Sequence, residues 1–302
     1  KGFHSSPKIG FRIQTGLQMP TIMDTPMDAY QYASLYNQAL INDGKTPIYS
    51  SDALAAYQSG TNGYLYPNVN WKKQLYKNTA PLTMGELSFR GGGGGLNYYV
   101  MAGLMQNGGI YRGTDSKARE NANVDYARYN FRANLDVDIT RYFRASLYSA
   151  VSFAERTTPG GGGAGDYLNS IWTTPPNAFP IYNPNGSIGG TSLYTNPVAN
   201  LLNRGLYKEN SRFVQVIFGL QYDFSALVRG LSAKVMFGYH NFMAETSPKI
   251  RNYARYALTQ TGVDADNNPV YSYTQYGSDA ALTSTEGFRT SDSRIDLQAQ
   301  ID

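Results

Sequence analysis

Two carboxylates, Asp136 and Asp138, stand two residues apart in a stretch that also carries Arg128, Arg132 and Arg144. On an extended chain that spacing puts both on one face, about 7 Å apart. Paired carboxylates at such a separation can cleave a glycosidic bond, but the arginines around them read better as a charged ladder. His4 and His240 are the only histidines, far apart and without a carboxylate at ligand spacing, so neither a metal site nor a catalytic base assembles around them. The chain has no cysteine, which removes disulfides, thiolate metal sites and redox chemistry. No Gly-x-Ser-x-Gly occurs and no Ser-His-Asp arrangement can be assembled. The glycine runs Gly91–Gly95 and Gly160–Gly163 lack the Lys-Ser/Thr that follows a phosphate loop, and they read as turns. The expectation is a chain with no catalytic residue, no metal and no cofactor, and not an enzyme.

The charged ladder lies on a strand of unusual length. Tyr129, Phe131, Ala133, Leu135, Val137 and Ile139 alternate with Arg128, Asn130, Arg132, Asn134, Asp136 and Asp138. A tight connection at Thr140-Arg141-Tyr142 leads into a second alternating run from Phe143 to Phe153. Period-two alternation marks a strand, and these strands are about twice the usual 5–6 residues. A membrane barrel strand needs about 9–11 residues, with lipid-facing and lumen-facing side chains alternating. The charges all fall on one face, which suits a wet lumen better than a dry core.

Composition points the same way without deciding it. Charged residues make up 16% of the 302, against 26 Tyr and 31 Gly. No apolar run approaches the roughly 18 residues of a membrane helix. Both a membrane barrel and a secreted all-β sandwich fit those figures. The net charge of +4 is scattered along the chain, which gives no nucleic-acid patch. The chain opens Lys1-Gly2-Phe3-His4 with no apolar leader, and reads as a mature or internal piece.

Loop order separates the two folds. Strands are expected at Lys8–Leu17, Leu82–Phe89, Leu96–Met105, the two of the hairpin from Tyr126 to Phe153, Arg212–Phe224, Ser232–Asn241 and Thr290–Asp302. Short helices are expected from Thr25-Pro26 to Gly44, from Ser51 to Tyr57, and after Trp71. The connections then run long, short, intermediate, short, long, short, long, with long loops at about 18–81, 155–208 and 242–287. The last of these carries its own hairpin around Asn267-Asn268. Outer-membrane barrels sort their loops in this way and sandwiches have no reason to. The expected fold is all-β: a transmembrane antiparallel barrel portion of about eight strands in one domain, residues 1–302, with helices in its extracellular loops. The chain ends in mid-strand at Ile301-Asp302, and an unfinished edge is not tolerated in lipid, so a larger barrel is expected.

Six segments in order carry a resemblance: Pro7-Lys8-Ile9-Gly10-Phe11 after Lys1-Gly2, Asp28-Ala29-Tyr30 through Leu40, and Tyr66-Pro67-Asn68-Val69-Asn70-Trp71; then Gly108-Gly109-Ile110-Tyr111, Tyr129 through Asp136, and Thr173-Thr174-Pro175-Pro176. In this order the chain resembles the SusC/RagA family of TonB-dependent outer-membrane transporters of Bacteroidota. The resemblance implies the first strands of a 22-stranded, plugged barrel, importing glycans or oligopeptides. It further implies a SusD-like surface lipoprotein as lid, TonB acting through a plug region outside this chain, the remaining barrel segments and outer-membrane lipid as partners, with no nucleic acid. Arg128, Arg132, Asn134, Asp136, Asp138 and Arg144 are then expected to face the lumen or plug. The aromatics Tyr64, Tyr66, Trp71, Trp172 and Tyr182 are loop candidates for substrate binding. Tyr142, Phe143, Tyr222 and Phe224, near short turns, read as an interface girdle. A siderophore or cobalamin receptor of the same barrel type, and a soluble carbohydrate-binding β-protein, are the alternatives.

Overall fold

The computed structural model describes residues 6–21, 24–112, 125–160 and 164–302; His4 lies outside them. In chain order the elements are β1 (Lys8–Gln18), α1 (Ala29–Asn42), α2 (Ser51–Ser59), α3 (Trp71–Leu75), β2 (Ala80–Gly93), β3 (Leu96–Asn107), β4 (Asp125–Asp138), β5 (Phe143–Pro159), α4 (Ala164–Thr173), α5 (Pro197–Asn203), β6 (Gly205–Asp223), β7 (Ser232–Ile250), β8 (Arg255–Val263), β9 (Pro269–Tyr276), β10 (Thr283–Ser284) and β11 (Arg289–Ile301). Strands β1 to β7 pair in sequence order, β11 pairs β7, and the two-residue β10 also touches β7. Every pairing in this sheet is antiparallel. Strands β8 and β9 form the separate hairpin expected around Asn267, which takes φ 64° at the turn.

The register turns the period of two into two continuous faces. One row runs Ile9, Phe89, Val100, Ala133, Ser149, Val216, Tyr239, Ile295 across eight successive strands. The neighbouring row on the other face runs Gly10, Ser88, Met101, Arg132, Ala150, Gln215, His240, Arg294. Slipping any pair by one residue would carry charges onto the apolar face, so pattern and register enforce each other. Phe131, Phe218, Phe237 and Leu297 on the apolar face are all exposed in the isolated chain. An apolar sheet face without a covering layer is what lipid would cover.

The connections alternate as the sequence reading expects. β2 and β3 are joined through Gly94 and Gly95, whose φ of 60° and 83° give the left-handed pair that a tight hairpin requires. The strands reach further than the alternation of apolar residues alone suggested. β6 and β7 each run 19 residues, and β5 continues to Pro159, because backbone pairing carries on through polar residues above the apolar band. The helix expected from Thr25-Pro26 begins at Ala29 instead. Asp28 caps it, accepting from the Gln31 amide while Gln31 reaches back to the Asp28 amide. The long loop between β5 and β6 contains α4 and α5.

The packed core sits in the loops, outside the sheet. Trp71, Leu75, Tyr111, Tyr167, Ile171, Phe179 and Leu201 form one buried cluster, drawn from three separate connections. Ala29, Ala33 and Tyr57 form a second between α1 and α2. No helix among the described residues is long and apolar enough to cross a membrane.

Candidate functional site

The polar face of the wall is concave enough to hold a cavity of about 480 Å³, lined by Arg12 of β1, Glu86 of β2, Arg128 and Arg132 of β4, and Gln215 of β6 among others. Side chains from strands five places apart in the sheet share that space. Arg128 Nε donates to Asn130 Oδ1 at 2.9 Å and to Ser152 Oγ at 3.1 Å, which pins it along the wall. Asn134, between Tyr99 and Tyr148 in register, lies on the same face.

The two carboxylates that open the chemical question are both engaged. Asp138 accepts from Arg144 Nε at 2.6 Å, and Asp136 accepts from the Tyr148 hydroxyl at 2.6 Å. This is the charged ladder, built across the β4–β5 hairpin. On β7 and β11, His240 Nε2 stands 3.5 Å from Asp296, which also holds Arg294 at 2.7 Å. Among the described residues no group of three His, Asp or Glu side chains could hold a metal ion. This face offers hydrogen-bonding groups to whatever fills the concavity.

The five loop aromatics separate. Tyr64, Trp172 and Tyr182 are 46%, 45% and 48% exposed, and each stands open to solvent. Tyr66 is half-buried, its ring edge-on to Tyr57 with centroids 5.5 Å apart. Trp71 is 1% exposed, lies 5.6 Å from Phe179, and donates its indole N–H to the Pro175 carbonyl. With both faces covered it has no surface to offer a ligand; it is framework.

What the alternation could not show is how the loop layer is tied together. Asn70 caps α3 through the Lys73 amide, which swings Trp71 inward. The Val69 amide donates to the Pro176 carbonyl, joining the first long loop to the second. Tyr76 and Tyr111 pack at 5.0 Å, and Tyr111 meets Tyr167 edge-on at 5.7 Å. Burial pushes the phenols of Tyr111 and Tyr167 well above the usual range, and that of Tyr253 up to about 12. Asn196, fully buried, donates to the Ile181 and Gly189 carbonyls and accepts from the Val198 and Ala199 amides, capping α5. The signal was present: Asn196-Pro197 is a cap followed by proline at the first helical position.

The short-turn rim carries the expected aromatics in contact. Tyr222 lies 6.3 Å from Phe143, 6.5 Å from Tyr142 and 4.6 Å from Phe224, with Arg141 4.4 Å over the Tyr142 ring.

With this geometry in place the chain can be compared with known proteins. No family model matches it. TonB-dependent receptor P3 of Formosa agariphila is 27% identical over 206 residues, 64% of this chain and 19% of that protein. The structure of the RagAB peptide transporter matches 99% of this chain and 40% of that one, with TM-score 0.60 and 16% identity. The RagAB importer in its open-open state matches 98% and 39%, with TM-score 0.56 and 16% identity. Near-complete coverage of a two-faced sheet and its loop layer decides the matter. The chain has the fold of the barrel wall in those structures. It spans about a fifth of the curated relative and two fifths of the matched structures. The apolar row is one surface of this wall, and the ladder of Arg128, Arg132, Asp136 and Asp138 lies on the other.

Proposed function

We propose that this chain forms part of an outer-membrane, TonB-dependent importer of oligopeptides or glycans that works with a SusD-like surface lipoprotein. The observation that carries the reading is the unbroken two-faced wall: one register-locked apolar row, and behind it a concave polar face. Lipid would cover the first, and a plug and passing solute would meet the second. Arg128, Arg132, Asn134, Asp136, Asp138 and Arg144 then hold the plug or line the path, and the packed loop layer forms a firm extracellular mouth for a lid to close on. Tyr64, Trp172 and Tyr182 are the open aromatics at that mouth where sugar rings or peptide side chains would stack. The names of the structural neighbours favour peptides as cargo.

Purification of the complete receptor from membranes tests this. It should require detergent, migrate as a heat-modifiable band, and bring a lipoprotein with it. Uptake of labelled oligopeptides and oligosaccharides by cells with and without the gene then names the cargo class. A receptor that purifies alone and takes up an iron chelate or corrinoid would overturn the proposal.

A further inference from the structure

One group of charges lies on the outer face of the wall. On β6 the outward row runs Tyr222, Leu220, Phe218, Val216, Val214 and then Arg212. From Tyr222 to Arg212 the strand covers about 33 Å, and at the usual barrel tilt this rises about 25 Å, the height of an apolar band. Tyr222 belongs to the aromatic cluster at the short-turn rim, so Arg212 stands where the opposite, long-loop interface begins. Phe153, its partner on β5, is an exposed aromatic at the same height.

Arg212 does not stand alone there. In register, Arg212 faces Met243 of β7, and one step further out Arg289 of β11 faces Glu245. Arg212 Nη2 lies 4.0 Å from Met243 Sδ, and Arg289 Nη2 lies 3.4 Å from the same sulfur. Two guanidinium groups from strands on either side of β7 therefore converge over one thioether. Both are exposed, and among the described residues neither forms an ion pair, although Glu245 and Glu155 are on the same face. Arg212 is also anchored from below. Its Nη2 donates to Asn241 Oδ1 at 3.4 Å, and Asn241, 7% exposed, is fixed in turn by donating to Ser293 Oγ and the Asp292 carbonyl.

Like charges brought this close repel unless an anion lies between them. Guanidinium groups match a phosphate in shape as well as charge, each offering parallel N–H donors. Below the pair the same face passes Val214 with Asn241 and Ser293, and one step further Val216, Tyr239 and Ile295 begin the apolar row, where acyl chains would lie. We propose that Arg212 and Arg289 form a clamp for the phosphate of a phosphorylated lipid headgroup in the leaflet at the long-loop rim. The proposal rests on the reading of this wall as membrane-embedded.

The complete receptor in lipid nanodiscs tests it, with native mass spectrometry counting retained lipid. Nanodiscs of phosphatidylethanolamine doped with bisphosphorylated lipid A are compared with nanodiscs carrying its dephosphorylated form. The wild-type receptor should retain the phosphorylated lipid, and an Arg212→Gln/Arg289→Gln double variant should bind it about tenfold or more weakly, as lost charge-assisted bonds predict. Arg212→Lys/Arg289→Lys should recover part of the binding. Heat-modifiable migration confirms that each variant is folded. Equal retention by wild type and the glutamine variant, or equal retention of both lipid forms, overturns the clamp. Displacement of the lipid by millimolar inorganic phosphate would assign the site to free phosphate and overturn the lipid assignment. A receptor that stays soluble without detergent would remove the membrane reading itself, a failure distinct from the other two.

Discussion

The wall and the loop layer of this protein are stabilised in opposite ways. The wall has almost no buried side chain: its long strands pair end to end, one face apolar and the other polar, and both stand open in the isolated chain. The loop layer has the dense aromatic core of a soluble domain, with Trp71, Leu75 and Leu201 all below 2% exposure. The wall is a continuous hydrogen-bonded ladder with one face of exposed apolar side chains, a face that an apolar surrounding would stabilise and water would not. The loop layer excludes water by its own packing and needs no lipid. A chain can therefore combine a surface that is unstable in water with a mouth that is stable in it.

The sharpest way to break this comparison is to empty the loop core. Trp71→Ala removes the largest fully buried side chain and should cost about 3–5 kcal/mol. The loss should be confined to the loops: proteolysis and hydrogen exchange should rise across α3, α4 and α5 while the heat-modifiable barrel band persists. If the band vanishes as well, the two regions are one cooperative unit.

The converse experiment targets the wall. Phe218→Arg puts a charge near the middle of the outer face and should cost about 2–4 kcal/mol in a bilayer. Gln215→Arg, three residues away on the inner face, should cost little. Denaturant unfolding in lipid vesicles measures both, and equal costs would mean that the two faces are not lipid and lumen.

Alkaline pH should loosen the loops before the wall. Burial raises the phenol of Tyr253 to about 12 and moves those of Tyr76, Tyr111 and Tyr167 upward too. A raised folded pKa favours the neutral form, so its stabilisation is complete below about pH 10, where an unfolded tyrosine begins to ionise. It is lost as pH climbs through the folded value, by about 1.4 kcal/mol per unit for each such phenol. Tyrosinate absorbance followed together with loop proteolysis between pH 9 and about 12 should show ionisation and loop opening in step. A wall that dissociates first would reverse the ranking.

The smallest effect is expected on the ladder. Arg144→Gln breaks the 2.6 Å pair with Asp138, but the side chains are 48% and 38% exposed. An exposed pair contributes about 0–1 kcal/mol, so thermal stability should hardly move. A large loss would mean that a further segment buries this pair.

Legibility followed the same division. The faces of β4 and β5, the side of the wall that holds Arg128 through Asp138, and the order of long and short connections all followed from period-two alternation, because a strand exposed to two different solvents must alternate. The loop layer was far less legible. Tyr64, Tyr66, Trp71, Trp172 and Tyr182 are all aromatic residues in loops, and nothing local separates Trp71, which is sealed, from Trp172, which is open. That difference depends on Phe179 and Pro175, about a hundred residues further along the chain, and on Asn70 turning the ring inward. The convergence of Arg212 and Arg289 on Met243 was equally out of sight, since 77 residues of sequence numbering separate the two arginines.

By itself, then, the sequence determined the faces of the strands, the sorting of the loops and the absence of cysteine chemistry, since each depends on neighbours a few residues away. Only the tertiary structure decided which aromatics are core, where the loops lock to one another, and which charges meet. Those outcomes rest on contacts between distant segments, and such contacts exist only once the register of the sheet has fixed where each loop begins and ends.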